Sequence, residues 1–246
     1  MEGGNPRKEP MINERILFMN TQEEYDMRIA RIMSKIEDLH DREFAFTCGE
    51  WPSVWKPAMT EKEVSAFEKK HGIHLPEDYR RFITTITAGG SQPFYGLEAL
   101  NDKHVELPNL GKPFSYTLEN PLIMIYLTEE EMEYDEDGEE DDEGECGFIS
   151  LCHEGCGMYS ILVVNSNDPD TYGTVWFYDF ANDFGTAPMR DAQTGQPFHF
   201  LDWLEYWADR TAKLNDDEYF SFSDAVQMPE PPDNPDIVGR KMGWIK

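Results

Sequence analysis

The sequence predicts a protein of mixed helical and strand content, and three observations lead to this fold class. Between residues 57 and 91, capping residues and glycines bracket two sets of apolar residues at helical spacing, which indicates a pair of short helices. Residues 158–165 and 173–180 are β-rich runs joined by a polar loop, as is typical of a hairpin, and are expected at the centre of a sheet. Residues 198–213 carry apolar side chains along one helical stripe. The chain of 246 residues, 39% hydrophobic and 13% aromatic, allows a full core.

The first helix of the pair is predicted to begin at Thr60. Its hydroxyl can accept from the amide of Glu63 while the Glu63 carboxylate accepts from the amide of Thr60, an arrangement called a capping box. Val64 and Phe67 then share one face, and Gly72 suits the left-handed conformation just past a helix end.

The second helix is predicted to follow almost at once. Pro76 suits its first position, and Leu75 immediately before it would fasten the helix to the core through an apolar contact. Gly89-Gly90 is expected to end the helix. Its apolar residues recur at i, i+3, i+4 and i+7, namely Tyr79, Phe82, Ile83 and Ile86.

Residues 1–50 are expected to form an N-terminal extension with an amphipathic helix at 21–41. Thr21 and Glu24 form a second predicted capping box at the start of this helix. The apolar spacing has the rhythm of a coiled coil for only two heptads, so we favour packing on the chain's own domain over pairing with a second chain. The apolar residues are Tyr25, Ile29, Ile32, Ile36 and Leu39.

Further apolar runs at Leu122–Leu127 and Phe148–Leu151 are predicted to be strands. Upstream of the helix pair, residues 44–55 are rich in aromatic side chains and are expected to dock on the core as a linker. Trp51 and Trp55 are candidates for exposed binding anchors, although burial is the commoner situation for such residues.

Four blocks of the sequence occur together in one order. They are HGIHLPEDYRRF followed by Gly89-Gly90, the turn PFYGL at 93–97, the run LCHEGCGMYSILVVNSNDPDTYGTVWFYDF at 151–180, and FHFLDWLEYWADR at 198–210. Together they resemble the SUKH superfamily, which includes the fungal Smi/Knr cell-wall regulators and many bacterial immunity proteins.

The resemblance covers roughly residues 51–210 and implies an α+β fold, in which a mostly antiparallel twisted sheet has helices packed on one side. We therefore expect a SUKH-like domain at 51–213 and a C-terminal tail at 214–246. The resemblance also implies that Gly155-Cys156-Gly157 is a turn leading into the hairpin.

An acidic insertion is expected at 129–145, which reads EEEMEYDEDGEEDDEGE and has 13 carboxylates in 17 residues. Such a run repels itself, so we expect a solvated insertion whose flanking strands a short turn could rejoin. Glu133, Asp135 and Asp137 match the first ligand positions of a calcium-binding EF-hand loop. Because Gly144 stands where that loop requires a bidentate Glu, a calcium site is not expected.

A cluster of cysteine and histidine invites a zinc interpretation, but its spacing lacks the C-x2-C pair of structural zinc sites. We favour the turn over a metal site, and the sequence predicts no cofactor. A cysteine nucleophile would need a base held beside it, which His153 could be only if the fold places it there. The cluster consists of Cys146, Cys152, His153 and Cys156.

The net charge of −28 disfavours a surface for nucleic acid or anionic membrane and favours a basic protein partner, although acidity also keeps proteins soluble. The first residues lack the apolar region of a signal peptide, and no run approaches the roughly 18 apolar residues of a membrane span. We expect a cytoplasmic protein with reduced cysteines.

Motifs of common enzymes, such as G-x-S-x-G, GxxxxGK[ST] and HExxH, are missing from the sequence, so we expect no enzymatic activity. Our leading hypothesis is an immunity protein that neutralises a toxin, a nuclease or other nucleic-acid-acting effector, by occluding its active site. The alternative is a regulatory or scaffold adaptor of the Smi/Knr type. A metal-dependent enzyme that uses the Cys/His cluster is the least favoured hypothesis.

The candidate toxin-binding residues are one aromatic side chain and a set of carboxylates. Tyr95 in the aromatic turn would make short-range contacts, whereas the carboxylates would attract a cationic groove by mimicking phosphates. We expect a basic toxin domain as the partner, and a chain that is a monomer or a weak dimer. The carboxylates are Asp135, Glu136, Asp137, Glu139, Glu140, Asp141, Asp142 and Glu143.

Overall fold

The structure is a computed structural model that describes residues 9–39, 54–101, 109–132, 146–215, 218–219 and 221–245. Within these residues, five strands form one antiparallel sheet in the order β1-β5-β4-β3-β2. The strands are β1 (Leu122–Ile123), β2 (Phe148–Gly155), β3 (Met158–Val163), β4 (Val175–Asp179) and β5 (Gly185–Pro188).

The four longest helices of the described residues supply side chains to one main core on a single face of the sheet. This arrangement confirms the predicted α+β fold. The helices are α1 (Glu9–Glu37), α2 (Glu61–His71), α3 (Glu77–Thr85), α4 (Glu129–Met132), α5 (Phe200–Thr211) and α6 (Val238–Lys241), with short 3-10 helices at Met124–Tyr126 and Phe222–Ala225.

The predicted start and end of α2 are confirmed. The Thr60 amide donates to Glu63 Oε2 at 2.7 Å, and the Glu63 amide donates to Thr60 Oγ1 at 3.3 Å, which is the predicted capping box. Gly72 follows the helix with φ +68°, a left-handed conformation that an L side chain rarely adopts.

Helix α3 ends at Thr85, earlier than the predicted stop at Gly89-Gly90. After the helix, the backbone pairs with the segment that precedes α2: the Ala88 amide donates to the Pro57 carbonyl oxygen and the Lys56 amide donates to that of Gly89. The partner segment therefore takes hydrogen bonds that a longer helix would have satisfied internally.

Two of the three hairpins in the described sheet, β2–β3 and β3–β4, follow the sequence prediction. β3 pairs with β4 in an antiparallel register that places Ile161 opposite Trp176, and β4 is the middle strand of the sheet. β2 and β3 are joined by the expected Gly-Cys-Gly turn, in which Gly155, Cys156 and Gly157 all have positive φ.

The prediction of a strand over Leu122–Leu127 was wrong beyond Ile123. β1 pairs with β5 through Leu122 opposite Thr186 and Ile123 opposite Gly185, and Gly185 is the first residue of β5. Since β5 offers no partner further along, the chain turns into a 3-10 helix at Met124. β5 itself was not predicted.

The expectation that a short turn could rejoin the strands around the acidic insertion was also wrong. β1 and β2 lie at opposite edges of the sheet, with three strands between them. Because neighbouring strands are about 4.8 Å apart, the two edges are separated by about 19 Å. The chain between Ile123 and Phe148, which includes the insertion, therefore connects the two edge strands of the sheet rather than the two strands of a hairpin.

Helix α1 begins at Glu9 rather than at residue 21, and it ends at Glu37. Thr21 and Glu24 lie inside the helix, because residues 11–20 contain no proline or glycine that would stop it and Pro10 stands in its first turn. Residues 40 and 41, the end of the predicted helix, lie outside the described residues.

The second half of α1 packs on the chain's own domain, as predicted, because its apolar stripe belongs to the main core. Three cations beside that stripe also pair with carboxylates of α5, and Glu205 receives all three, so its pKa falls to about 2 even though burial opposes the shift. The stripe is Ile29, Ile32, Ile36 and Leu39, and the ion pairs join Arg28, Arg31 and Lys35 to Asp202, Glu205 and Asp209.

Residues within the predicted tail at 214–246 also contribute to the interior. Phe222 and Ala225 are buried in the main core, and Ile237 is buried where it bridges Thr128. The division of the chain at 50 and 213 stays a prediction.

We predict that the connection between the sheet edges tolerates a change of sequence but not a change of length. Replacing residues 133–145 with a Gly/Ser linker of equal length should leave cooperative thermal unfolding intact when it is followed by circular dichroism. Replacing all of residues 124–147 with two residues leaves a link between β1 and β2 that reaches only about 11 Å, short of the distance between the edges, and should abolish that transition. A cooperative transition in the two-residue variant would contradict this topology.

We predict that Leu75→Asp lowers the free energy of unfolding by at least about 3–5 kcal/mol, because Leu75 is only 4% exposed and an unpaired carboxylate there is not solvated. The matched control is His74→Asp, which places the same charge on an exposed neighbour and should change stability by less than about 0.5 kcal/mol. Chemical denaturation of both variants measures the difference. Equal effects would show that this junction is not part of the core.

Candidate functional site

The two faces of the sheet have different surroundings. Ile149, Leu162 and Phe177 face the helices and belong to the main core. The opposite face, here called the outer face, carries a smaller cluster that includes Ile161 and Trp176 and is packed against Phe114 of the loop before β1. The two sets lie on the same strands, because successive side chains of a strand point to opposite faces of the sheet.

A row of aromatic side chains continues across the outer face and is here called the aromatic strip. It consists of Tyr95, His153, Tyr159, Tyr178 and Phe180. Tyr95 stacks on His153 with ring centroids 5.3 Å apart, and His153 lies 4.6 Å from Tyr159. Tyr159 and Tyr178 are opposite each other on β3 and β4 at 6.4 Å, and Tyr178 lies 4.6 Å from Phe180.

The strip is only partly covered by the protein. Its four residues from His153 to Phe180 are half-buried, whereas Tyr95 is 66% exposed. The buried rings of Phe148 and Phe114 lie beneath one end, since Phe148 is 5.5 Å from Tyr178 and 5.9 Å from Phe114. The strip thus continues the outer-face cluster toward the solvent and packs on the buried rings of that cluster.

Tyr95 is held in place by the turn at 92–97 and by the edge of β2. The Tyr95 amide donates to the His153 carbonyl oxygen at 3.3 Å, and the Glu98 amide donates to that of Leu151 at 2.8 Å. On the other side of Tyr95, Phe94 is buried with φ +48°, so the turn places one ring inside and the next ring outside. Gly96 has φ +116° and lies against the Gly90 carbonyl oxygen, where a side chain would collide.

The strip presents uncharged ring faces near neutral pH. Burial lowers the pKa of His153 below its ordinary 6.5, so its imidazole is mainly neutral at pH 7. The faces of Tyr and neutral His rings attract cations, and a guanidinium or ammonium group stacked on such a ring is stabilised by about 0.5–2 kcal/mol. The strip can therefore receive an Arg or Lys side chain of a partner.

Of the predicted site residues, Tyr95 is the one that the structure describes. The carboxylates Asp135, Glu136, Asp137, Glu139, Glu140, Asp141, Asp142 and Glu143 lie outside the described residues. The start of the acidic run is helical at α4, where Thr128 caps the helix by donating its amide to Glu131 Oε2 at 2.8 Å. Lys241 Nζ lies 3.5 Å from Glu129 Oε1.

The four residues of the Cys/His cluster do not come together at one site. Cys152 is fully buried toward the helices, where burial raises the pKa of its thiol well above the ordinary value, while His153 lies on the outer face. Cys156 is exposed in the Gly-Cys-Gly turn, and Cys146 is buried before β2. Among the described residues, no group of three or more His, Cys, Asp or Glu could hold a metal ion.

Sequence reasoning did not assign four residues of the aromatic strip to a site, namely His153, Tyr159, Tyr178 and Phe180. Tyr159 and Ile161 on β3 and Trp176 and Tyr178 on β4 alternate with residues of the main core, and this period of two was a signal that could have assigned them to the outer face. The stacking of His153 on Tyr95 had no such signal, because it joins a strand to a distant turn.

The fold is an α+β domain with an antiparallel sheet, helices on one face and an aromatic surface on the other. The chain belongs to the SMI1 / KNR4 family (SUKH-1), whose model matches residues 58–220. No curated protein and no solved structure matches the chain significantly. None of the helices in the described residues is long and apolar enough to cross a membrane.

Proposed function

We propose that this chain is an immunity protein of the SUKH type, which binds a basic toxin domain and blocks its active site. The toxin would be a nuclease or another effector that acts on nucleic acid. Membership of the SMI1 / KNR4 family supports this proposal, because its fold is shared with many immunity proteins. Binding without catalysis is the proposed mode of action.

The observation that carries the proposal is the aromatic strip on the outer face of a strongly acidic chain. Tyr95 exposes most of its ring at one end of the strip, and the chain has a net charge of −28. Aromatic side chains bury a large area at little entropic cost, and they are enriched among residues that dominate binding energy. A basic partner would place its Arg or Lys side chains on these rings.

The acidic run at 129–145 is proposed to guide the partner toward the strip. A nuclease groove is cationic because it binds phosphates, so a dense set of carboxylates attracts it over long distances and competes with the nucleic acid. The residues flanking the run are Thr128, which follows edge strand β1, and Cys146, which precedes edge strand β2. The proposed contacts of Asp135, Glu136, Asp137, Glu139, Glu140, Asp141, Asp142 and Glu143 belong to this step.

A second candidate function is a regulatory adaptor of the Smi/Knr type. It is favoured by the proline-rich stretch 229–235, which is exposed except at Pro231 and lacks helix or strand structure. Tyr126 Oη donates to the Pro229 carbonyl oxygen at 2.8 Å, which attaches the start of the stretch to the body, and Arg240 Nη2 of α6 donates to the Pro232 carbonyl oxygen at 2.7 Å. Such stretches are recognised by domains with aromatic grooves.

We predict that the association rate with the basic partner recovered from host cells falls steeply between 0.01 M and 0.15 M salt. The Debye length shrinks over this range from about 30 Å to about 8 Å, which screens long-range attraction, while dissociation should change much less. Neutralising the carboxylates from Asp135 to Glu143 should lower the association rate and flatten its salt dependence. Stopped-flow mixing or surface plasmon resonance gives both rates. An association rate insensitive to salt would contradict the guiding role of the acidic run and would mean that its charge serves only solubility.

We predict that Tyr95→Ala raises the dissociation rate of that complex at least about tenfold, because it removes the most exposed ring of the proposed contact surface. Tyr95→Phe keeps the ring face and should stay within about threefold of the parent. The matched control is Tyr219→Ala, which removes a 79% exposed tyrosine outside the strip and should have no effect. Equal dissociation rates for Tyr95→Ala and Tyr219→Ala would place the contact elsewhere.

A further inference from the structure

The C-terminal segment Ser221–Ala225, here called the clamp segment, is inserted between α5 and the turn that carries Tyr95. Phe222 is fully buried, stacks on Trp203 of α5 at 5.1 Å between ring centroids, and lies 5.5 Å from Phe94. Phe94 directly precedes Tyr95 in the chain. One side of the aromatic turn therefore rests on a residue from the far end of the sequence.

A buried carboxylate fixes the backbone of the same segment. Glu154 is 1% exposed, and its Oε2 accepts from the Phe222 amide and from Ser221 Oγ, each at 3.0 Å. Its Oε1 accepts from Ser160 Oγ at 3.3 Å, and Ser160 Oγ in turn accepts from the Trp203 indole at 3.0 Å. Glu154 follows His153, the residue on which Tyr95 stacks.

These contacts form a closed circuit around the exposed end of the aromatic strip. Tyr95 is attached to His153 through its amide and its ring, His153 is bonded to Glu154, Glu154 holds Phe222, and Phe222 packs against Phe94. Each link is a covalent bond, a hydrogen bond or a ring contact. A displacement of the clamp segment therefore changes the contacts that hold Tyr95.

We infer that the clamp segment positions Tyr95 for binding, with Phe222 and Glu154 as the positioning residues, and that ionisation of Glu154 loosens this hold. The hold on Tyr95 is a property of the free protein. Its consequence for binding rests on the proposed function of the strip.

The direction of the pH effect follows from the surroundings of Glu154. Burial, together with Asp179 on β4, raises its pKa from 4.5 to about 7, although three hydrogen-bond donors oppose the shift. When the segment opens, water reaches Glu154 and its pKa returns toward 4.5. The closed state therefore binds the proton more tightly, and its stability is complete below about pH 4.5, declines up to about pH 7, and is constant above that.

The other charged and titratable groups near Glu154 do not produce this fall in stability with rising pH. Cys152 on the same strand has a thiol pKa raised well above its ordinary value, so it stays neutral. The pKa of His153 on the opposite face is lowered from 6.5 by burial, so protonation of His153 favours opening and its contribution to stability rises with pH, opposite in sign to that of Glu154. The charge of Glu98, beside the turn, helps to raise the pKa of the Cys152 thiol. On the clamp segment, Asp224 is paired with Arg210 of α5 at 3.1 Å.

Amide hydrogen exchange of the free full-length chain, followed by NMR, tests the inference without a partner. Dividing each rate by its intrinsic rate gives protection factors, and those of the Phe222 and Tyr95 amides should fall together by about tenfold or more from pH 5.5 to pH 7.5. The Val163 amide, which donates to the Thr174 carbonyl oxygen within the sheet, is the internal reference and should change less than twofold.

Variants separate the positioning role from general destabilisation. Glu154→Gln keeps an acceptor but cannot titrate, so protection of both amides should no longer fall between pH 5.5 and pH 7.5. Phe222→Leu keeps most of the volume without the ring, and should lower Tyr95 protection at least fivefold at pH 5.5 while Val163 is unchanged. Asp224→Asn removes only the exposed ion pair of the segment and should leave all three amides within twofold.

Two results would overturn the inference: Tyr95 protection unchanged in Phe222→Leu, or the parent's pH dependence retained in Glu154→Gln. Neither depends on a partner, so both leave the proposed function intact. Conversely, the exchange results could hold while Tyr95→Ala leaves the dissociation rate of the basic partner unchanged. That outcome would overturn only the proposed function. If both hold, Phe222→Leu should raise the dissociation rate of the complex in the same direction as Tyr95→Ala.

Discussion

Helix α5 is the element on which the rest of the structure depends, because it contacts the sheet, α1, α3 and the clamp segment at once. Its Phe200, Trp203 and Trp207 are fully buried, and each such side chain stabilises the fold by about 1.5–3 kcal/mol. The first turn of α5 is anchored by the Leu201 amide, which donates to the buried Asp78 carboxylate of α3 at 3.1 Å. Elements from both ends of the chain thus meet on one helix.

Closing one face of the sheet in this way leaves the other face partly exposed. The helices bury the main core on one side, and the loop around Phe114 covers only part of the other, so the aromatic strip continues to the surface. At the base of the strip, Phe148 packs against Tyr178. Under the proposed function, such packing reduces the entropy that a partner must remove on binding, and opposite faces of the same strands serve stability and recognition.

Sequence reasoning predicted features that local chemistry decides and missed those that depend on distant partners. The Thr60 capping box, the glycine at 72 and the hairpin were predicted because a few neighbouring residues fix them. The equally convincing capping pattern at Thr21 was wrong, since the pattern cannot tell whether the preceding residues are themselves helical. Leu122–Leu127 failed as a strand beyond Ile123 because β5 begins at Gly185, opposite that residue, and offers no partner further along. In the aromatic strip, Tyr159 and Tyr178 carried a period-two signal that was not used, whereas the stacking of Tyr95 on His153 could not be predicted because the two residues meet only in the folded chain.

The central claim is that acidity and aromatic contact together select one basic partner. Its most direct test is affinity capture from host cells with the parent chain and, in parallel, with a chain that combines Tyr95→Ala with neutralised carboxylates from Asp135 to Glu143. Mass measurement of the captured complex should give one basic nucleic-acid-acting domain in a 1:1 complex, whose activity the parent chain blocks and the combined variant does not. Capture of several signalling proteins, or equal capture by both chains, would contradict the claim.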